Sequence, residues 1–198
     1  MAMKKNAAVL FDKDGTLIPD IPYNIDATMV ELRSGIGPVL GELARRGYAL
    51  AIVSNQSGVA RGLFGEDALA SVWERLQDLA SAYGAKFSAF YYCPHHPAGS
   101  VADYALECDC RKPKSGLVER ALRELNADPR SSWMIGDTLD DIEAGARAGL
   151  NTALIQGGET EWLRGPYRSP GHIIDVPRDL LNIIPSSARR RRYEKVHV

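Results

Sequence analysis

The sequence lacks a long hydrophobic run. Its first apolar segment, residues 7–11, is five residues long and ends at Asp12. The apolar core of a secretory signal has at least about seven residues, and a membrane-spanning helix has about 20. No segment of the 198-residue sequence approaches that spanning length. We therefore expect a soluble protein that is located in the cytoplasm and has no membrane partner.

Charge of one sign is not in excess either. The 24 lysines and arginines nearly balance the 25 aspartates and glutamates. A surface with this balance has no overall field that would collect polyanions, so a nucleic-acid partner would need a local basic patch. The composition, 45% apolar and 25% charged, is that of a globular chain. Its length suits one domain with a real core, and we predict a single domain over residues 1–198.

Cysteine is scarce. The three cysteines, Cys93, Cys108 and Cys110, are an odd number and fall in one short stretch. A disulfide framework would spread an even number along the chain. Metal binding is therefore the first alternative to consider for this stretch.

Predicted strands and helices alternate along the chain. We predict strands at residues 7–12, 48–53, 86–92, 132–135 and 151–155, and helices at 35–47, 66–83, 115–126 and 139–148. Residues 156–174 read as a loop with a last edge strand, and a short helix is predicted at 178–184. This alternation predicts an α/β fold with a doubly wound, mostly parallel, Rossmann-like sheet, which binds ligands beyond the carboxyl ends of its strands.

Three polar motifs follow predicted strand ends. They are "FDKDGT" at 11–16, "SNQSG" at 54–58 and "GDTLDD" at 136–141. Asp12 and Asp14 are two residues apart and project similarly, while Gly15 lets the backbone turn. Asp137 adds a third carboxylate at the same edge. Three acids in one crevice repel one another unless a hard cation lies among them, and Mg²⁺ is the usual one.

The same edge offers groups for phosphate oxygens. Ser54 supplies a hydroxyl, the turn at Asn55 and Gln56 supplies main-chain N–H groups, and Lys112 supplies a positive charge. These are the parts of a phosphoryl-transfer site in which one acid is the nucleophile and another the proton donor. An acidic strand exit alone would explain two aspartates, but not the further motifs.

Four motifs together carry a resemblance. "DKDGT", "SNQSG", "CRKP" and "GDTLDD", in this order, resemble the four motifs of the haloacid dehalogenase (HAD) superfamily of phosphatases. The longer stretches "SNQSGVARG" and "YYCPHHPAGS", with "CDCRKP", resemble a narrower group. That group contains the D-glycero-D-manno-heptose 1,7-bisphosphate 7-phosphatases and the related histidinol-phosphatase domains. The resemblance covers about residues 7–155.

The resemblance implies a role for each matching residue. Asp12 would attack phosphorus to form an aspartyl-phosphate. Asp14 would protonate the leaving oxygen and then activate the hydrolytic water. Ser54 and Lys112 would hold the transferring phosphoryl group.

The resemblance also implies how magnesium and the lysine are held. The Asp12 carboxylate, the Asp14 main-chain oxygen and Asp137 would bind Mg²⁺, and Asp141 would support Lys112.

The cysteine-containing loop, residues 93–110, has the ligand set of a zinc site. Cys93 and His95 are followed, after twelve residues, by Cys108 and Cys110, which gives four soft or borderline ligands for Zn²⁺. The spacing alone does not choose between His95 and His96, and the resemblance favours His95. Four protein ligands leave no open position, so we expect a structural zinc. A reduced loop with free thiols is the alternative.

The substrate is less well defined by the sequence. No stretch is long enough for a separate cap domain, so the crevice should be open. Arg61 and Arg111 lie beside the motifs and could receive a second anionic group, although each could also be an ordinary surface arginine. A heptose bisphosphate, a precursor of the lipopolysaccharide core, is favoured over histidinol phosphate. One departure weakens that preference, because Thr138 stands where both groups carry a basic residue.

The remaining predictions concern partners. We expect a monomer whose partner is a small phosphorylated sugar, with a core at about 7–185 and a disordered basic tail at 186–198. Contact of that tail with nucleic acid or anionic lipid is the alternative. A hypothesis of another class is a zinc-loop nucleic-acid-binding module with an inactive core. The intact acidic motifs, and a loop without interleaved basic and aromatic residues, argue against it.

Overall fold

The computed structural model describes residues 6–156 and 165–186. The predictions for the tail at 187–198 and for residues 157–164 of the predicted loop lie outside these ranges. No helix in the described ranges is long and apolar enough to cross a membrane.

Six parallel strands form one sheet in the order β3-β2-β1-β4-β5-β6. The strands are β1 (Ala8–Phe11), β2 (Ala49–Asn55), β3 (Phe87–Cys93), β4 (Trp133–Gly136), β5 (Asn151–Ile155) and β6 (His172–Ile174). The strand order reverses at β1, between β2 and β4, where a doubly wound sheet opens a crevice at the carboxyl ends of its strands. The predicted fold class and the last edge strand are confirmed.

Within the described ranges, four helices connect strands and a fifth follows β6. They are α1 (Ile36–Arg45), α2 (Leu69–Ser81), α3 (Gly116–Glu124), α4 (Leu139–Arg147) and α5 (Leu180–Ile183). The helix predicted at 66–83 begins with a 3₁₀ turn, Glu66–Ala68, and the helix predicted at 178–184 is preceded by the 3₁₀ turn Pro177–Asp179. A proline at the first position fits a 3₁₀ start, because its missing N–H has no partner in the first turn.

The sheet is buried on both faces, which explains the unbroken apolar runs of its strands. Val9 and Phe11 of β1 pack into the cluster that contains the apolar sides of α1 and α2. Ala8 and Leu10, which point the other way, pack with α3. Helices therefore cover both faces, and the carboxyl edge of the sheet is the part left for ligands.

No separate cap covers that edge in the part of the chain described. The two long segments that rise from it, 12–35 and 94–115, contain no second sheet, and their only helical piece is the 3₁₀ turn Ala27–Met29. The crevice is therefore bounded by loops, as the length of the sequence predicts.

Candidate active site and metal clusters

The first site loop turns sharply after β1. The N–H of Asp12 still donates to the carbonyl of Ile135 on β4, at 2.9 Å, so Asp12 stands at the very end of the strand. Gly15 then adopts a left-handed conformation with φ +76°. A Cβ at Gly15 would overlap the carboxylate of Asp137. Glycine is thus needed both for the turn and for the close approach of the two loops.

Three buried carboxylates meet at this edge. Asp12, Asp137 and Asp141 each offer an oxygen, and these oxygens lie within 4.8 Å of one another. The hydroxyl of Thr16 donates to Asp137 Oδ1 at 3.2 Å and orients that side chain. The sequence predicts Asp12 and Asp137 as ligands at this edge and Asp141 as a support for Lys112, and the structure brings all three carboxylates together.

Lys112 is inserted among these acids. Its ammonium lies 2.6 Å from Asp12 Oδ1 and 2.5 Å from Asp141 Oδ1, and it donates to the carbonyl of Val53 at 2.8 Å. The side chain of Lys112 is only 3% exposed. A charge buried this deeply is stable only when it is paired and hydrogen-bonded, and Lys112 meets both conditions.

The pKa values of the buried groups favour the binding of a cation here. Burial raises the pKa of Asp12 to about 7, although Lys112 acts against this, and burial with the charge of Asp141 raises the pKa of Asp137 to about 6. Burial alone would lower the pKa of Lys112, but Asp12 and Asp141 outweigh it and raise that pKa. A further positive charge would favour the ionised forms of Asp12 and Asp137, and hard carboxylate oxygens suit Mg²⁺.

Asp14 faces a different set of groups. Its Oδ1 lies 2.8 Å from the ammonium of Lys13, and its Oδ2 accepts a 3.3 Å hydrogen bond from the amide of Gln56. The same amide donates to Ser54 Oγ at 2.9 Å. The main-chain N–H of Gln56 donates to the carbonyl of Cys93, at 2.8 Å. The sequence predicts that the main-chain N–H of Gln56 contacts phosphate, but this N–H is occupied by the carbonyl of Cys93. The side-chain amide of Gln56 faces the site instead.

Asn55 joins two of the motif loops. Its side chain accepts a hydrogen bond from the N–H of Lys112 and donates to the Lys112 carbonyl, both at 3.1 Å. The side chain is thus occupied in fixing the backbone that carries Lys112. The predicted contact between Asn55 and the substrate stays a prediction, and it concerns the main chain of Asn55 alone.

Thr138, where the resemblance leads us to expect a basic residue, caps α4. Asp141 Oδ2 accepts hydrogen bonds from the N–H and the hydroxyl of Thr138, at 3.2 and 2.7 Å. This capping box leaves Asp141 Oδ1 to face Lys112. The departure at residue 138 therefore has a local structural use.

The cysteine loop gathers four ligand atoms. Sulfur–sulfur distances among Cys93, Cys108 and Cys110 are 3.2 to 3.5 Å, and His95 Nδ1 lies 3.6 Å from Cys93 Sγ and 3.4 Å from Cys110 Sγ. A zinc tetrahedron has edges of about 3.8 Å between sulfurs and about 3.6 Å between sulfur and nitrogen. The four residues are arranged as a zinc site requires.

The neighbouring histidine points elsewhere. His96 Nε2 lies 3.4 Å from the guanidinium of Arg61, and His96 Nδ1 accepts the N–H of Ala98 at 3.1 Å. The Arg111 guanidinium donates to the carbonyl of His95 at 3.3 Å. Burial, followed by the charges of Arg111 and Arg61, lowers the pKa of His96. Of the two arginines predicted to receive a second anion, Arg61 thus contacts His96 and Arg111 contacts the carbonyl of the neighbouring His95.

A cleft of about 290 Å³ opens over Asp14. The residues that line it come from the loops after β1 and β2: Lys13, Asp14, Asp20, Pro22, Tyr23, Asn24, Asn55, Gln56, Ser57, Gly58 and Phe64. This volume suits a small molecule rather than a polymer. Arg61 and Arg111 are not among the lining residues of this cleft.

Sequence reasoning missed three contributors to the site. Lys13 is buried against Asp14, Thr16 orients Asp137, and Arg33 donates to the carbonyls of Gly15 and Gln156. Lys13 stands inside the "DKDGT" motif, so its position could have drawn attention. Arg33 carries no signal, because its role depends on two loops that meet only in the folded chain.

Curated relatives match most of the chain. A D-glycero-beta-D-manno-heptose-1,7-bisphosphate 7-phosphatase of Haemophilus ducreyi is 41% identical over 149 residues, which cover 75% of this chain and 81% of that protein. The enzyme of that name from Haemophilus influenzae is 38% identical over 181 residues, covering 88% and 97%. The Hydrolase_like family model, described as HAD-hydrolase-like, matches residues 109–180.

Solved structures agree with this result. A structure from Mesorhizobium loti, described as a HAD-like phosphatase, matches with a TM-score of 0.82 and 32% identity over 95% of this chain and 90% of that one. A D,D-heptose 1,7-bisphosphate phosphatase from B. bronchiseptica, complexed with magnesium and phosphate, has a TM-score of 0.76 at 23% identity, covering 89% and 99%, and shows the shared fold.

The sheet, the four ordered motifs and these matches define a phosphatase of the HAD class. The chain belongs to the family of the D-glycero-beta-D-manno-heptose-1,7-bisphosphate 7-phosphatases.

The close approach of Gly15 to Asp137 is open to a direct test. We expect Gly15→Ala to lower kcat/KM by about 100-fold or more, because the added methyl group displaces a carboxylate of the cluster. Gly84→Ala is the matched control, since Gly84 has φ +71° but open space around it. Both variants should lose about 1 kcal/mol of unfolding free energy from backbone strain. Equal activity in both variants would contradict this account of Gly15.

Proposed function

We propose that this phosphatase removes the 7-phosphate of D-glycero-D-manno-heptose 1,7-bisphosphate through an aspartyl-phosphate on Asp12, with Mg²⁺ as cofactor. The observation that carries the chemistry is the buried cluster of Asp12, Asp137, Asp141 and Lys112 at the strand ends. The names of the relatives support the choice of substrate.

In the first half-reaction, a carboxylate oxygen of Asp12 forms a bond to phosphorus while the bond from phosphorus to the sugar oxygen breaks. Asp14, which lines the cleft, gives its proton to that sugar oxygen. In the second half-reaction Asp14 takes a proton from water, whose oxygen attacks the phosphoenzyme and releases inorganic phosphate. Ser54 and Lys112 hold the oxygens of the phosphoryl group. Asp141 keeps Lys112 in place.

The Asp12 carboxylate, the Asp14 main-chain oxygen and Asp137 would hold Mg²⁺. The bound ion would supply positive charge that offsets repulsion between the carboxylates and the phosphate dianion. The raised pKa values of Asp12 and Asp137 support a cation-binding role for this place. The magnesium and phosphate of the B. bronchiseptica enzyme give further support by analogy of fold.

The nucleophile can be tested by one substitution. Asp12→Asn should lower kcat at saturating Mg²⁺ by about 10⁴-fold or more, because the amide cannot form an acyl-phosphate. Steady-state release of inorganic phosphate is the measurement, with circular dichroism as a check that the fold is kept. Asp78→Asn, an exposed position on α2, is the control and should retain full activity. Turnover within tenfold of the parent in Asp12→Asn would rule out the proposed intermediate.

We also propose that Cys93, His95, Cys108 and Cys110 hold one structural Zn²⁺. Their near-tetrahedral arrangement supports this, and the four protein ligands would leave no open position for substrate. The close contact with Cys93 lowers the pKa of the Cys110 thiol to about 5, so a thiolate ligand is readily available. The zinc would shape the loop that leads directly into Arg111 and Lys112.

Metal analysis tests the zinc cluster. Cys108→Ser should reduce zinc well below one ion per chain and weaken kcat/KM, since the loop loses a ligand. His96→Gln is the matched control, because His96 contacts Arg61 rather than the cluster, and it should keep one zinc per chain. Native protein without zinc, and with all three thiols open to alkylation, would exclude the site.

We propose that Arg61 and Arg111 bind the second phosphate of the substrate. Arg61 contacts His96 and Arg111 contacts the carbonyl of His95, and a guanidinium binds a phosphate through two parallel hydrogen bonds. In this proposal Ser54 and Lys112 bind the phosphate that reacts. Residues outside the reaction centre must therefore distinguish one substrate from another. Histidinol phosphate, which has no second phosphate, is the alternative substrate.

Arg111→Ala separates the two substrates. We expect kcat/KM for the heptose bisphosphate to fall about tenfold or more, since a charge-assisted pair contributes about 1.5 to 3 kcal/mol. Hydrolysis of a monophosphate without the second anion should hardly change. If kcat/KM fell equally for the bisphosphate and the monophosphate, Arg111 would instead bind the reacting phosphate or stabilise the zinc loop. Histidinol phosphate would then be favoured as the substrate.

Several expectations from the sequence stay predictions. These are the single domain over residues 1–198, the monomeric state and the cytoplasmic location. The family membership and the intact acidic cluster argue against the nucleic-acid-binding alternative.

A further inference from the structure

Lys13 is an unusual residue for a strand-to-loop exit. Its side chain is only 2% exposed, yet it carries an ammonium group. Among the described residues, its hydrogen-bond acceptor is Asp14 Oδ1, at 2.8 Å. Burying an ammonium is costly, and a single ion pair compensates only part of that cost. A buried lysine beside a reactive carboxylate therefore points to a use in function.

The other oxygen of Asp14 is held from the opposite side. The Gln56 amide donates to Asp14 Oδ2 at 3.3 Å and to Ser54 Oγ at 2.9 Å. Gln56 is 5% exposed, and its main-chain N–H is fixed by the carbonyl of Cys93. Because the amide has two N–H groups, it can serve both acceptors at once. Ser54 Oγ accepts this bond, so its own O–H is left to donate to a phosphate oxygen.

We propose that Lys13 and Gln56 are positioning residues that hold the Asp14 carboxylate for proton transfer. Lys13 binds Oδ1 firmly, and the longer contact at Oδ2 marks the oxygen that carries the proton to the sugar oxygen and later takes one from water. Gln56 ties this orientation to Ser54. The inference rests on the proposed acid and base role of Asp14.

The arrangement answers a need created by the open crevice. Asp14 has a side chain that is 27% exposed, and it lines the 290 Å³ cleft. A solvent-facing aspartate would otherwise sample several rotamers, of which few place an oxygen on the leaving group. In the described part of the chain no cap covers Asp14, and its two buried neighbours, Lys13 and Gln56, restrict its side chain instead.

Two synthetic substrates test the proposal without reference to the natural sugar. Phenyl phosphate has a poor leaving group that needs protonation, whereas 2,4-dinitrophenyl phosphate does not need it. Lys13→Met should lower kcat/KM for phenyl phosphate by about tenfold or more, and for the dinitrophenyl ester by less than about threefold. Lys13→Arg, which keeps the charge, should restore most of the loss. Lys86→Met, an exposed lysine before β3, is the control and should change neither value.

A double-mutant cycle gives the second readout. If Lys13 acts through Asp14, then adding Lys13→Met to Asp14→Asn should change kcat/KM for phenyl phosphate by less than about twofold. Gln56→Met removes the contact with Ser54 as well, so it should lower kcat/KM for both esters, but more for phenyl phosphate than for the dinitrophenyl ester. This difference keeps the proposal testable should Lys13→Met fail to fold. Thermal unfolding of each variant identifies loss of structure.

Equal losses of kcat/KM on both esters would overturn the proposal, because they would show that Lys13 holds the transferring phosphoryl group. Full additivity in the cycle would overturn it as well. The proposed function is judged separately by Asp14→Asn alone. Unchanged phenyl phosphate hydrolysis in that variant would remove the acid and base role of Asp14, whereas a large loss there with no effect of Lys13→Met would remove only the positioning role.

Discussion

The buried ammonium of Lys112 is the interaction on which the site depends. It lies between Asp12, which directly follows β1, and Asp141, in the first turn of α4. The carbonyl of Val53, near the end of β2, accepts a hydrogen bond from the same ammonium. Neither the lysine nor the acids could be buried alone at acceptable cost. The charges therefore hold together segments that are far apart in the sequence, and they do so at the point where the strand order reverses.

The cysteine cluster is connected to this centre through the backbone. The carbonyl of Cys93 accepts the N–H of Gln56, and Cys110 precedes Lys112 by two residues. Asn55 then fixes the Lys112 backbone from the β2 side. A change at the cluster would thus reach the phosphate site over a few covalent and hydrogen bonds, with no rearrangement of the sheet. This short path gives a structural reason for the position of the proposed zinc loop beside the proposed catalytic residues.

Much of the fold could be predicted from the sequence, because buried parallel strands are uniformly apolar and the helices between them are amphipathic. The rule that ligands bind at the carboxyl ends of parallel strands likewise predicts that Asp12, Ser54 and Asp137 share one edge. What could not be predicted depends on contacts between loops. The burial of Lys13 and the contacts of Arg33 with two carbonyls are examples. Spacing could not choose between His95 and His96 as the cluster ligand, since only the folded loop turns one of them toward the sulfurs.

The loop-bounded crevice has a consequence for the fate of the proposed phosphoenzyme. In a closed site, an acyl-phosphate is shielded and can be passed to a second hydroxyl group before water arrives. In the described part of the chain, no second sheet lies over the cleft that Asp14 lines, and the Asp14 side chain is 27% exposed. Water therefore reaches the proposed base directly, and a sugar alcohol would have to compete with it at every turnover. The architecture thus favours a hydrolase over a mutase or a phosphotransferase built from the same catalytic groups.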